Sequence, residues 1–175
     1  AILRASAYGN IRIMLPLITG VSEVRSVRTI LQNVMRELDS KEIPYDKDIL
    51  LGVMIETPAA CMLADILAKE ADFFSIGTND LTQYTIAVDR GNENVAYLYS
   101  AFHPAVLRSV KRIIECAKRE NIEVGMCGEA AGNPAMIPLL LAFGLDEFSV
   151  TASKVLETRK NIALEGVQKL LSRYI

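Results

Sequence analysis

The chain has 175 residues, of which 51% are hydrophobic, and this length and composition suit one compact domain. Its 19 basic and 21 acidic residues give a net charge of −2, and the basic residues are scattered, which argues against nucleic acid or an anionic membrane as a partner. No apolar run approaches the roughly 20 residues of a membrane span, and the first residues lack a signal-peptide core, so we expect a cytoplasmic protein without membrane insertion.

The first part of the chain alternates predicted strands and helices. Residues 10–17 are a predicted strand, and a long helix is predicted to begin with Ser22 as its N-cap. Residues 48–55 are almost entirely apolar, which is typical of a parallel strand covered on both faces. Thr57 and Pro58 then suit the N-cap and first position of a short helix. The long helix has apolar residues at helical spacing: Val24, Val27, Ile30, Leu31, Val34 and Leu38.

A third predicted strand, 73–76, breaks at Gly77 and is followed by Thr78, Asn79 and Asp80, where a helix begins. In parallel α/β folds, ligands bind at the carboxyl ends of the strands. Asn79 is therefore either a ligand-facing group or simply the N-cap of the next helix, and the sequence leaves both interpretations open.

The remaining elements continue the alternation. After an irregular stretch, 91–102, His103 and Pro104 open a helix, and His103 is assigned no catalytic role. A strand is predicted at 123–126. The last predicted elements are a helix that begins at Asn133-Pro134 and ends at Gly144, a strand at 148–150, and helical sequence from Ser153 to the carboxyl end.

Five strands alternating with helices predict right-handed crossovers and a parallel sheet, hence an α/β fold. Two architectures fit this pattern: an open doubly wound sheet, or the later part of an eight-stranded barrel, which usually needs about 250 residues. If the fold is a barrel, about three strands are missing on the amino side. Periodicity does not choose between the two.

Polar side chains follow three of the strands: Glu56, the pair Asn79 and Asp80, and Cys127 with Glu129 behind it. Because parallel strands point the same way, these groups are expected at one rim of the sheet. Two carboxylates with room for phosphate oxygens and water suit a hard cation such as Mg²⁺ or Mn²⁺, so Glu56 and Asp80 are the predicted metal ligands. The alternative for Glu56 is a carboxylate that caps the helix beginning at Thr57.

Two further residues have both a functional and a structural interpretation. Cys127 lies between Gly125 and Gly128, where a ligand can approach the backbone closely, although most free cysteines are inert and apolar. Arg90 suits bidentate contact with phosphate or carboxylate, or else a surface ion pair with Asp89. The other two of the three cysteines, Cys61 and Cys116, are predicted to pack in the core, and all three are expected to be reduced thiols.

The chain carries three long motifs: Ile55-Glu56-Thr57-Pro58, the segment 74–85 with 87–92, and Gly125-Met126-Cys127-Gly128-Glu129. Together they closely resemble the phosphoenolpyruvate-utilising enzymes, and in particular the enzyme I family, the phosphoenolpyruvate-protein phosphotransferases of bacterial sugar uptake. The resemblance covers essentially the whole chain.

This resemblance implies roles for individual positions. Glu56 and Asp80 match the family's Mg²⁺ ligands, Asn79 and Arg90 match its phosphoenolpyruvate contacts, with Asp80 adjoining the substrate as well, and Cys127 matches its proton donor. The cation would offset negative charge as the phosphoryl group leaves, and the Cys127 thiol would protonate the enolate of pyruvate. A nearby carboxylate such as Glu129 would help to keep that thiol protonated.

The resemblance also implies a barrel of which residues 1–175 are the carboxyl-terminal portion, about its last five strands. The phosphohistidine domain and the early barrel strands, with further phosphate-binding arginines, are then absent, and the chain alone is expected to be inactive. The implied partners are phosphoenolpyruvate and pyruvate, a phosphocarrier protein, and a second copy in a homodimer. Three alternatives stay open: the same domain of a pyruvate phosphate dikinase or phosphoenolpyruvate synthase, a dimerisation module, and a metal-dependent barrel aldolase that would leave Cys127 unexplained.

Overall fold

The computed structural model describes residues 1–174, with side chains for residues 1–165. The strands are β1 (Ile13–Leu15), β2 (Leu51–Ile55), β3 (Phe73–Gly77), β4 (Glu123–Cys127) and β5 (Glu147–Phe148). The helices are α1 (Ile2–Ser6), α2 (Val21–Ser40), α3 (Pro58–Met62), α4 (Ala64–Leu67), α5 (Thr78–Ile86), α6 (Pro104–Arg119), α7 (Ile137–Phe143) and α8 (Val155–Tyr174). Ile175, the end of the last predicted helix, lies outside the described residues.

The strands form one parallel sheet in the order β1-β2-β3-β4-β5, so each strand pairs with the next one in sequence. A doubly wound sheet would instead reverse its strand order at a switch point. Crossovers that always move to the next strand are the winding of a (β/α) barrel. The α/β fold is confirmed, and the sheet is a five-stranded part of a barrel.

The two faces of the sheet differ in chemistry. On one face, Val53, Phe74, Ile76 and Val124 are buried with the helices in the main hydrophobic core. The other face, here called the inner face, bears polar and half-exposed side chains and lines an open cavity. The inner-face side chains of that cavity include Met14, Ser75, Glu123, Cys127 and Glu147.

Two helix starts and one helix end lie where the sequence predicts them, because helix capping depends on residues close in the chain. Thr57 is the N-cap of α3, with its Oγ1 accepting a hydrogen bond from the Ala60 amide at 3.0 Å. His103 is the N-cap of α6, with its Nδ1 accepting from the Ala105 amide at 3.2 Å. Gly144 ends α7 in a left-handed conformation with φ +93°.

Two predicted helix starts are wrong. Helix α2 begins at Val21 after Gly20, rather than after Ser22, because the Glu23 carboxylate reaches back and accepts hydrogen bonds from the amides of Thr19 (2.7 Å) and Gly20 (2.8 Å). The other wrong start is at Asn133-Pro134. The Asn133 side chain closes a turn by accepting from the Ala135 amide at 3.0 Å, and α7 begins only at Ile137.

Three predicted strands are longer than those in the structure. The predicted strands 10–17 and 148–150 are reduced to β1 of three residues and β5 of two, each paired with a single neighbour among the described strands. The predicted strand 48–55 begins only at Leu51. The apolar stripe of α2 is only partly covered: Ile30 is 60% exposed and Val34 37% exposed.

Of the helices in the described part of the chain, none has the length and apolar character to cross a membrane.

Candidate functional site

The carboxyl ends of β2, β3 and β4 bring the predicted site residues to one rim. Glu56 directly follows β2, Asn79 and Asp80 lie in the first turn of α5 after β3, and Cys127 is the last residue of β4. Gly77 at the end of β3 is the register partner of Cys127. The expectation that these side chains share one rim is confirmed for their positions, while their chemical roles stay predictions.

Glu56 is a buried carboxylate, with 4% of its surface exposed. Its Oε1 accepts a hydrogen bond from the Leu17 amide at 2.8 Å, and its Oε2 faces Gly77, where an added Cβ would lie 2.5 Å away. The alternative that Glu56 caps α3 is wrong, because the Thr57 hydroxyl caps that helix and also donates to the Ile18 carbonyl at 2.7 Å. Glu56 is thus held by the β1 loop and aimed at the end of β3.

Burial raises the pKa of Glu56, and the charge of the Asp80 carboxylate raises it further, while the Leu17 amide opposes both. The charges of the two predicted metal ligands therefore act on each other. Within the described residues, no group of three or more His, Cys, Asp and Glu side chains gathers around a possible metal position. Two carboxylates suit Mg²⁺, which is commonly held by one or two protein carboxylates with water and substrate phosphate completing its shell.

Asn79 does not cap α5, whose N-cap is Gly77. Its Oδ1 instead accepts a hydrogen bond from the Glu129 amide at 3.2 Å, and Thr78 Oγ1 donates to the Cys127 carbonyl at 2.8 Å. Gly128 has φ +92°, and an added Cβ would lie 2.4 Å from Thr78 Oγ1. The first turn of α5 and the loop after β4 are therefore fastened together at the rim.

The Cys127 side chain is half-buried between β3 and β4. Its Sγ donates to the Ile76 carbonyl at 3.6 Å and accepts from Ser75 Oγ at 3.9 Å. Burial raises the pKa of the Cys127 thiol, the carboxylates of Glu56 and Glu147 raise it further, and Ser75 opposes them. Cys127 is accordingly a thiol at neutral pH, and the carboxylates that favour this form are Glu56 and Glu147 rather than Glu129.

Arg90 is exposed at the same rim. Among the described residues it forms no ion pair with Asp89, whose Oδ1 accepts from the Gly91 amide at 2.8 Å. The guanidinium lies close enough to the Tyr99 hydroxyl for its charge to affect the pKa of that group. Arg90 is thus available to a ligand at the rim.

Tyr99 is a residue of the site that the sequence did not reveal. Its hydroxyl donates to the Asn79 carbonyl at 3.1 Å. Burial raises the pKa of Tyr99, the Arg90 charge opposes this, and the carboxylates of Glu129 and Asp80 add to it. Tyr99 therefore stands among the charged groups of the rim and ties the segment after α5 to the first turn of that helix.

The other two cysteines pack in the core, as predicted. Cys61 on α3 is 4% exposed and Cys116 on α6 is 1% exposed, and both belong to the main hydrophobic cluster. All three cysteines are free thiols. Neither Cys61 nor Cys116 contributes to the rim.

Comparison with known proteins identifies the class that this fold and rim define. The family described as "PEP-utilising enzyme, PEP-binding domain" matches residues 1–166, where PEP is phosphoenolpyruvate, and the chain belongs to this family.

Several named enzymes are similar to this chain over most of its length. Proteins named phosphoenolpyruvate-protein phosphotransferase from Priestia megaterium, Listeria monocytogenes and Geobacillus stearothermophilus are 50%, 52% and 51% identical to this chain. The matches cover 93%, 93% and 97% of the chain but 28%, 28% and 30% of those proteins. The chain thus spans less than a third of the length of these enzymes.

Solved structures share the fold at low sequence identity. A citrate lyase from Burkholderia xenovorans LB400 superposes with a TM-score of 0.68 at 16% identity, over 93% of this chain and 51% of that one. The citrate synthase SbnG superposes with a TM-score of 0.58 at 16% identity, over 96% of this chain and 67% of that one. These neighbours support the barrel architecture alone.

Proposed function

We propose that this chain is the phosphoenolpyruvate-binding part of a phosphotransferase. In the proposed reaction, the phosphoryl group passes from phosphoenolpyruvate to a histidine elsewhere in the enzyme and then to a phosphocarrier protein in sugar uptake, and pyruvate is released. The observation that carries the proposal is the pair of carboxylates, Glu56 and Asp80, at the same rim as the Cys127 thiol. Membership of the family and the named relatives support it.

The rim side chains suit a substrate that carries both a phosphate and a carboxylate. Glu56 and Asp80 would hold Mg²⁺, which when bound supplies positive charge against the negative charge of the substrate and of the departing phosphoryl group. Arg90 would bind phosphate or carboxylate oxygens bidentately, and Asn79 would contact the substrate through its side-chain amide. The hydrogen bond from the Glu129 amide fixes the Asn79 Oδ1 and so leaves its NH₂ group facing away from that contact.

Cys127 would complete the reaction as a general acid. When the phosphoryl group has left, the methylene carbon of the enolate needs a proton, and a thiol can give one only if it is protonated beforehand. Burial and the carboxylates of Glu56 and Glu147 keep Cys127 in that form. The S–H bond breaks as the new C–H bond of pyruvate forms.

We further propose that the chain is the carboxyl-terminal portion of a longer cytoplasmic, homodimeric enzyme. Its phosphohistidine and the remaining phosphate-binding arginines would lie in other parts of that enzyme. The chain by itself is then expected to bind Mg²⁺ weakly and to turn over no phosphoenolpyruvate. A useful rate of pyruvate formation by residues 1–175 alone would contradict this.

The test uses the longer enzyme that contains this chain. With Cys127→Ala, we expect the histidine to be phosphorylated in the first turnover. Protonation of the enolate to pyruvate should then be at least about 10²-fold slower than in the wild type. With Asp80→Asn, we expect both steps to fail because the substrate is no longer held. Pyruvate formation at the wild-type rate in Cys127→Ala would exclude Cys127 as the acid, and a requirement for ATP would assign the chain to a dikinase or synthase instead.

A further inference from the structure

Thr78 is the first residue of α5 and lies where two parts of the candidate site meet. The residues that follow it, Asn79 and Asp80, are the proposed contacts of the substrate and the cation. Thr78 itself is 2% exposed, and its Oγ1 donates a hydrogen bond to the Cys127 carbonyl at 2.8 Å. One buried side chain therefore joins the element that would hold the substrate to the residue that would protonate it.

This hydrogen bond lies just beyond the paired part of the two strands. Gly77 is the last residue of β3 and the register partner of Cys127, the last residue of β4. Because the chain after β3 turns into α5, the pairing of the two strands ends at this point. The 2.8 Å distance is typical of an O–H···O hydrogen bond, and the Thr78 hydroxyl thus fastens the end of β4 where the sheet no longer does.

The loop after β4 packs closely against the same helix turn. Gly128 has φ +92°, and an added Cβ would lie 2.4 Å from Thr78 Oγ1 and 3.0 Å from Asn79 Oδ1. The Glu129 amide donates to Asn79 Oδ1 at 3.2 Å. Thr78 and Asn79 therefore hold this loop at two places, but of these two hydrogen bonds only that of Thr78 ends on Cys127 itself.

The position of the Cys127 sulfur depends on the position of its backbone. Sγ forms two long hydrogen bonds, with the Ile76 carbonyl at 3.6 Å and with Ser75 Oγ at 3.9 Å, and hydrogen bonds of sulfur are weak. One torsion, χ1, separates the sulfur from the backbone, and its staggered rotamers offer few alternatives. A hydrogen bond that fixes the Cys127 carbonyl therefore also limits where the thiol can lie.

We propose that Thr78 is the positioning residue for Cys127, and that its hydroxyl holds the thiol within reach of the methylene carbon of a substrate bound at Asn79 and Asp80. The proposal rests on the proposed function, in which Cys127 protonates the enolate. Thr78 takes no part in the proton transfer, because its own proton stays in the hydrogen bond to the Cys127 carbonyl. A displacement of about 1 Å between reacting groups can slow a reaction about 10²-fold, so one lost hydroxyl is expected to matter.

The test compares two readouts in a single turnover of the longer enzyme. The first is phosphorylation of its histidine by phosphoenolpyruvate, which needs no proton from Cys127. The second is formation of pyruvate from the enolate, followed in a stopped-flow instrument with excess lactate dehydrogenase and NADH. Thr78→Val keeps the shape of the side chain without its hydroxyl. We expect phosphorylation to change less than about threefold in this variant and pyruvate formation to be at least about tenfold slower.

Two variants serve as controls. Thr78→Ser keeps the hydroxyl and is expected to form pyruvate within about threefold of the wild-type rate. Thr82→Val removes a hydroxyl one helical turn further along α5, where Thr82 is 0% exposed and its Oγ1 has no hydrogen-bond partner among the described residues. This variant is expected to match the wild type in both readouts. Unfolding curves in urea check that each variant folds.

The outcomes separate the two proposals. Wild-type pyruvate formation in Thr78→Val, equal slowing of both steps, equal slowing in Thr82→Val, or no recovery in Thr78→Ser would overturn the positioning role of Thr78 and leave the proposed function standing. Pyruvate formation at the wild-type rate in Cys127→Ala would instead remove Cys127 as the acid, and with it both the proposed function of that residue and the present proposal.

Discussion

Glycines near the reactive groups make room for protein side chains. Beside Cys127, the sequence suggested glycines that let a ligand approach the backbone. In the structure, Gly125 leaves space for Glu147, and Gly128 leaves space for Thr78 and Asn79. Gly77 does the same for Glu56. The glycines therefore act on the candidate site indirectly, by letting side chains from neighbouring elements lie close to their backbone.

Gly77→Ala tests this arrangement at Glu56, one of the two proposed metal ligands. The new Cβ would lie 2.5 Å from Glu56 Oε2 and 2.8 Å from its Cβ, so the buried carboxylate must move. We expect Mn²⁺ affinity to fall at least about tenfold and the free energy of unfolding to fall by about 1–3 kcal/mol. Electron paramagnetic resonance and urea unfolding measure the two effects.

The matched control is Gly91→Ala. Its Cβ would meet only the end of the exposed Asp89 side chain, at 3.2 Å, so neither quantity should change. Equal Mn²⁺ binding by Gly77→Ala and the wild type would show that the position of Glu56 does not determine metal affinity.

The raised pKa of Cys127 predicts that its thiol is alkylated slowly in the folded chain. Only the thiolate reacts with iodoacetamide, so alkylation of Cys127 in the folded chain at pH 8 should be about tenfold slower than in the urea-unfolded chain, with part of the difference due to burial. Its rate should keep rising with pH beyond the range in which the unfolded thiols level off. Mass spectrometry separates Cys127 from Cys61 and Cys116, and a folded-state plateau at lower pH than in the unfolded chain would contradict the assignment.

The start of helix α2 depends on one carboxylate, that of Glu23. Hydrogen bonds from the amides of Thr19 and Gly20 and from the Thr19 hydroxyl hold the pKa of Glu23 below its ordinary value near 4.5. A lowered pKa in the folded state means that ionised Glu23 stabilises the fold above its unfolded pKa. This contribution is lost as pH falls through the folded pKa.

We therefore expect Glu23→Gln to be less stable than the wild type at pH 7, with the difference shrinking as pH falls below the ordinary value near 4.5 and Glu23 becomes protonated. Urea unfolding at several pH values measures it. Glu115→Gln on the exposed face of α6 is the control. A stability difference that stays constant down to pH 3 would show that the Glu23 charge is not what caps α2.

The sequence predicts a helix end where the capping hydrogen bond joins residues close in the chain. Thr57 and His103 cap their helices through bonds to residues two or three positions on, so the sequence reveals them. Glu23 was missed because it caps from inside the helix, although a Glu three residues after Gly20 is a recognisable signal. Tyr99 carried no such signal, because its hydrogen bond to Asn79 spans 20 residues and exists only in the folded chain.

At the scale of the whole molecule, alternation predicted a parallel sheet but not its winding. Periodicity shows which face of a strand is buried and does not show whether the next strand pairs on its left or its right. The resemblance to a family selected the barrel, and the strand order agrees with it. The shared rim followed from strand direction alone. The alignment of Ser75, Gly125 and Glu147 on the inner face depends instead on the register of β3, β4 and β5, which no motif encodes.

The open sheet gives a prediction at this scale. Among the described strands, β1 and β5 each pair with one neighbour, while β3 pairs with two. In the isolated chain, backbone amides of β1 and β5 should exchange with D₂O faster than those of β3. Mass spectrometry of the longer enzyme should show the β1 and β5 amides protected if further strands close the barrel, and unchanged exchange would contradict closure at these edges.

The proposed function depends most on a divalent cation that Glu56 and Asp80 would hold beside Cys127. The direct measurement is the NMR spectrum of this chain during titration with Mn²⁺, whose unpaired electrons broaden the signals of nearby amides. We expect the amides of Gly77, Asp80 and Cys127 to broaden first, and this broadening to disappear in Glu56→Gln/Asp80→Asn. Broadening centred elsewhere, or unchanged in the double variant, would contradict the account.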